Sequence, residues 1–181
     1  INLQSVFVDT SISIWKLLLN LIISKKPYNA VRFINKEFRC KIEALLLETQ
    51  FDLVQLEGLY LAPYIQTIRA NSDARIALRA HNVEHQIWQL LARQAKNPLK
   101  KVYLQTLARR VKKMEIETLG IVDILTPITQ RDSLFFSQFS PKLPSYVAAT
   151  GLDPLRLMVQ PLPPRYPNTL FHIGGLDWLP N

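Results

Sequence analysis

The chain has 181 residues, of which 48% are hydrophobic and 20% charged, and its formal net charge is +8. That length suits one domain with a substantial core, and the composition excludes an intrinsically disordered chain. The single cysteine, Cys40, excludes an internal disulfide, agrees with a reducing compartment, and lies in no motif that would mark a nucleophile.

Taken in chain order, residues 5–9 (SVFVD) read as a strand and Ser11 to Ser24 as a helix capped by Ser11. The apolar stretch Ile12 to Ile23 is broken by Lys16 and Asn20 and stops at Lys25-Lys26. It falls short of the roughly 20 apolar residues that a membrane span needs. No basic start or small-residue cleavage site marks it as a signal peptide, so a helix facing the core is expected, with an interfacial anchor as the alternative. Lys26-Pro27-Tyr28 breaks the chain, and Phe33 to Thr49 reads as a helix with apolar positions at 34, 38, 42, 45 and 46. Asp52 to Leu56 is a short apolar run suited to a buried parallel strand (52–57), closed by Glu57-Gly58. Leu59 to Ala70 has helical spacing at 61, 65 and 68, and a strand at 75–80 leads into His81-Asn82.

Asn82 is placed to cap the next helix, with Glu84 in its first turn, and Asn97-Pro98 restarts that helix. Leu99, Tyr103, Leu107, Val111 and Met114 then form an apolar stripe down to about Leu119. A strand at 121–126, a helix at 130–138 and a strand at 146–149 follow. Residues 1–153 therefore make one domain, and the proline-rich stretch 154–169 reads as a linker. Residues 170–181 read as a strand with a Gly174-Gly175 turn that opens a further domain.

Alternation of strands and helices predicts an α/β fold: a Rossmann-like, mainly parallel sheet with helices on both faces. Ligands of such sheets sit beyond the carboxyl ends of the strands, where Glu57 and His81 both lie. Each has a structural reading as well. Glu57 is open to an ion pair with Arg79 or Arg69, and His81 to a hydrogen-bonded place behind the sheet. His81 and His85 are four apart without a third ligand in view, which argues against a metal site.

Three segments, FDLVQLEGLYLAPYI (51–65), LRAHNVEHQIW (78–88) and LFHIGGLDWLPN (170–181), resemble the family 4 glycosyltransferases. These are retaining sugar-nucleotide enzymes with two facing Rossmann-like domains, the GT-B architecture. The resemblance covers most of residues 45–181 and implies an incomplete N-terminal, acceptor-side domain with the start of its partner. It implies transfer of a sugar from a nucleotide-sugar donor to a glycan or lipid-linked acceptor, with no metal or other cofactor, in a cytoplasmic protein. His81 would face the donor sugar and assist by hydrogen bonding. Glu57, Gly58, Asn82, Thr126, Thr129, Asp132, Gly151 and Asp153 would border the substrates, and Gly174 and Gly175 would approach the donor diphosphate. The match is partial before Gly151, where Ala148-Ala149-Thr150 replaces the residues common in that family. The glycine-rich loop and the paired glutamates of that family are not in this chain, so the chain alone is expected to be inactive.

Residues 83–119 hold eight Lys or Arg against three Glu. Lys100, Lys101, Arg109, Arg110, Lys112 and Lys113 form the cluster, read either as a solvated face or as a contact for anionic lipid headgroups at the inner face of the membrane. Tyr103 alone interleaves them, so nucleic acid is not expected. The competing functions are a sugar-nucleotide epimerase of the same architecture and a noncatalytic basic α/β module.

Overall fold

The computed structural model describes residues 3–151. Asp153, the 154–169 linker, residues 170–181 and the Gly174-Gly175 turn lie outside them. Three parallel strands form the sheet: β1 (Leu53–Glu57), β2 (Arg75–Arg79) and β3 (Ile124–Leu125), in the order β1-β2-β3. The strand expected at 121–126 is reduced to two residues. The strand expected at 146–149 is reduced to a parallel bridge between Leu125 and Ser145, backed by Tyr146 N donating to Leu125 O at 3.0 Å. Pro144 offers only a carbonyl there, which Leu125 N takes at 2.9 Å, and a residue without an N–H cannot extend a ladder.

Residues 5–9 form no strand. Their alternation survives in burial, with Val6 and Val8 half-buried and Phe7 exposed, but no neighbouring strand pairs with them. Helix α1 (Ile14–Ile23) is capped by Ser13 rather than Ser11, because Ser11 N is held by Asp9 while Ser13 Oγ accepts from Lys16 N. The helix expected from Phe33 begins only at Lys36, as α3 (Lys36–Glu48), and a separate short helix, α2 (Tyr28–Val31), precedes it. Tyr64 explains the break: its hydroxyl donates to Phe33 O and accepts from Asn35 N, pinning the turn just ahead of the Asn35 cap.

A 3-10 turn (Leu59–Tyr64) and α4 (Ile65–Asn71) join β1 to β2. Beyond β2 come α5 (Glu84–Gln94), α6 (Pro98–Leu119) and α7 (Gln130–Ser137). As expected, Asn97 caps α6, its side chain accepting from Lys100 N at 3.1 Å. The apolar stripe of α6 is wider than the expected one: Tyr103 and Met114 pack beside buried Leu107 and Val111 as expected, and further residues turn inward next to them. Leu104, Leu107, Ala108, Val111 and Leu119 face inward, and Leu99 is exposed.

β1 alternates in burial, whereas β2 buries Ile76, Ala77 and Leu78 in succession. Val54, Leu56, Ile76, Leu78 and Leu125 share one face and pack with Leu46, Ile65, Ile68, Leu119 and Phe136 of the helices. Burying each large apolar side chain there contributes about 1.5–3 kcal/mol. The opposite face carries Leu53, Gln55, Glu57 and Arg75, all exposed. Ala77 is nonetheless buried on this second face and Ile124 half-buried, while the larger core cluster lies on the first. The result is an α/β fold with a small, open, parallel sheet. Among the described residues no helix is long and apolar enough to cross a membrane.

Candidate functional site

Glu57 and Arg79 are register partners at the carboxyl ends of β1 and β2. Beyond Glu57 the chain turns at Gly58, whose φ of +104° strains any residue with a Cβ. Gly58 N donates to Arg79 O at 3.1 Å, which ties the two strand ends together. Beyond Arg79, Ala80 N donates to Thr126 O at 3.2 Å, and the next residue, His81, is released into solvent.

His81 Nε2 lies 2.9 Å from Glu57 Oε2, with both side chains about half exposed. Gln55 Nε2 donates to Glu57 Oε1 at 2.5 Å, and Arg79 Nη1 stands 3.9 Å from that oxygen. Chiefly through the His81 hydrogen bond, with help from Gln55 and Arg79, the Glu57 carboxyl is held below its ordinary value. Of the two arginines considered for Glu57, Arg79 is the neighbour. Arg69 is engaged with Asp123 at 2.7 Å and with the carbonyls of Ala74 and Ile121.

Glu57, Arg79, His81, Asn82, Ile128 and Thr150 line a cavity of about 340 Å³. A second hollow of about 720 Å³ shares His81, Asn82 and Ile128 with it and reaches Arg93, Thr129, Arg131 and Asp132. Glu57, His81, Asn82, Thr129 and Asp132 therefore come together at one sheet edge. Gly58, Thr126 and Gly151 do not line these hollows. Thr126 Oγ1 donates to Leu78 O at 3.3 Å, and Gly151 is exposed with no atom within 4 Å of a Cβ added there. Thr150 takes the place expected for Gly151, and Ile128 the place expected for Thr126.

Asn82 does not cap α5. The helix begins at Glu84, and its first N–H is taken from another element, by Glu115 Oε1 of α6 at 2.9 Å. The other Glu115 oxygen holds His85 Nδ1 at 2.5 Å, and both side chains are buried. Tyr60 donates to Glu84 Oε2 at 3.0 Å, and Trp88 Nε1 donates to Tyr60 Oη at 3.0 Å. Burial raises the Glu84 carboxyl above its ordinary value, Tyr60 opposes this, and the nearby Glu115 charge adds to it. This network fixes the start of α5 and so the loop that carries His81 and Asn82. Its signal in the sequence is Glu115 itself, a charged residue on the inward stripe of α6 between Val111 and Leu119.

Chemically, the edge offers an imidazole–carboxylate pair open to solvent, an amide from Asn82 and hydroxyls from Thr129 and Thr150. Such a set can donate to and accept from sugar hydroxyls, and Arg79, Arg93 and Arg131 bring positive charge suited to an anionic group. Among the described residues no group of three or more His, Cys, Asp or Glu side chains converges as metal ligands. Comparison of the chain with protein-family models, with curated proteins and with solved structures finds no match, so the site is read from its own geometry.

Proposed function

We propose that this chain supplies the acceptor-side, Rossmann-like half of a GT-B glycosyltransferase, which moves a sugar from a nucleotide-sugar to a glycan or lipid-linked acceptor with retention. The observation that carries this reading is the pairing of His81 with Glu57. They stand 2.9 Å apart at the ends of adjacent parallel strands, over a cavity lined by hydrogen-bonding groups. In that role His81 donates to the transferred sugar, while Glu57 and Asn82 orient acceptor hydroxyls. Stabilising the leaving diphosphate is the main catalytic task, and that oxygen can itself take the acceptor proton. No cofactor beyond the donor substrate is required. Gly174 and Gly175 would approach the diphosphate, and Asp153 would border the donor. Lys100, Lys101, Arg109 and Lys113 are exposed and available to a cytoplasmic membrane face, whereas Arg110 is bound to α1 carbonyls and Lys112 sits over Phe139.

The test is a panel of nucleotide-sugars incubated with the two-domain protein, with and without acceptor glycans. Acceptor-dependent release of nucleoside diphosphate, with a product of retained anomeric configuration, is expected. An epimerised sugar-nucleotide formed without acceptor would assign the site to the epimerase reading instead. No turnover with any donor would leave the noncatalytic basic module.

A further inference from the structure

Helix α1 turns its more apolar side outward. No residue of it is buried. Its half-buried side is Leu17, Asn20 and Leu21, and Arg110 of α6 grips the backbone there, donating to Asn20 O at 3.2 Å and Leu21 O at 2.7 Å. Outward stand Trp15 at 83% exposure, Leu18 at 45%, Leu19 at 59%, Ile22 at 83% and Ile23 at 74%. Their spacing of three, four, seven and eight residues from Trp15 makes one continuous stripe. The expectation that this helix faces the core is thus reversed. Scattered exposed apolar residues need no explanation, but a contiguous stripe calls for a partner.

The charges around the stripe say which partner. Lys16, Lys25 and Lys26 are exposed, and no acidic residue occurs between Asp9 and Glu37. A groove of about 290 Å³ opens just past the end of α1. Its lining includes the apolar Pro27, Ile34 and Met114, the basic Lys25, Lys26, Arg110 and Lys113, and Glu117, which pairs with Lys113 at 3.6 Å. We propose that α1 lies in the plane of an anionic lipid surface. The stripe then enters the boundary between headgroups and acyl chains, the lysines meet the headgroups, and the groove receives one of them. At ten residues, or about 15 Å, the helix is too short to span and suited to lying flat. A second copy packed on the same stripe would set these lysines against their own equivalents, with Asp9 beside Lys16 and Glu117 in the groove as the nearby carboxylates. The basic residues that converge here are Lys25 and Lys26 with Arg110 and Lys113, the last paired with Glu117, rather than the whole row from 100 to 113.

The test is co-sedimentation of the full chain with vesicles of phosphatidylcholine alone or mixed with phosphatidylglycerol. Two double variants accompany it, Trp15→Ser with Ile22→Ser and Lys25→Glu with Lys26→Glu; their exposed positions should leave the circular dichroism unchanged. Binding to the anionic vesicles is expected, weakened by salt and by about tenfold or more in each variant. The proposal is overturned if the wild type fails to bind anionic vesicles or if both variants bind equally well. It is also overturned if light scattering shows a dimer that the Trp15/Ile22 variant dissolves, or if a Trp15→Cys thiol in a Cys40→Ser background is shielded from maleimide without lipid. No nucleotide-sugar enters this assay, so its failure would leave the sugar-transfer reading standing.

Discussion

His81 and Glu57 show how a strand end converts an ordinary pair into a site. β1 delivers its last side chain, Glu57, to this edge, and the chain delivers His81 two residues beyond the end of β2, while Gly58 and the residues after it stay out of the cavity lining. Because the carboxyl of Glu57 is held below its ordinary value of 4.5, largely by His81, the folded state favours the ionised form. Its small, half-exposed contribution to stability is therefore present above that ordinary value and lost as pH falls through the lower folded one. In a carbon-detected NMR titration, Glu57 of a His81→Ala variant should titrate closer to the ordinary value than in the wild type. An unchanged midpoint would show that His81 is not the group holding it. Both residues were legible in the sequence because an apolar run that ends in a polar residue marks a strand end. The cap assigned to Asn82 was not legible, since the group that performs it, Glu115, comes from another helix.

At the scale of elements, α5 and α6 are joined by a buried acid–base cluster as well as by apolar packing. Glu115 satisfies both the first amide of α5 and the imidazole of His85. Glu115→Ala would leave both without a partner in a buried setting and should destabilise the fold by about 3–5 kcal/mol, read by urea denaturation. A loss below about 1 kcal/mol would mean that water replaces the carboxylate and that the cluster does not hold α5 in place. The stripe of α6 was read in the right register at Tyr103, Leu107, Val111 and Met114 but too narrowly, because the buried set beside it includes Glu115 and Thr118, which apolar periodicity does not report. The strand read at 5–9 failed for a different reason. Alternation reports which side chains turn inward, but a strand also needs a partner edge, and local sequence does not supply one.

Across the whole molecule, the parallel order β1-β2-β3 follows from strands separated by helices. The burial of the strands was also present in the sequence. In β1, Val54 and Leu56 alternate with Leu53, Gln55 and Glu57, a half-covered pattern, whereas the run Ile76-Ala77-Leu78 of β2 is buried throughout as its apolar sequence suggests. The outward stripe of α1 was less legible, because periodicity identifies an apolar face without saying whether the core or a partner covers it.

The central proposal, that the His81–Glu57 edge serves sugar transfer, is tested most directly by the turnover of His81→Ala in the proposed two-domain enzyme, measured against wild type under saturating donor. Removing a donor that stabilises transition-state charge should lower kcat by about 10²–10³. Since the side chain is half exposed and packs in neither apolar core cluster, the unfolding midpoint should not move. Wild-type turnover in the folded variant would contradict the account.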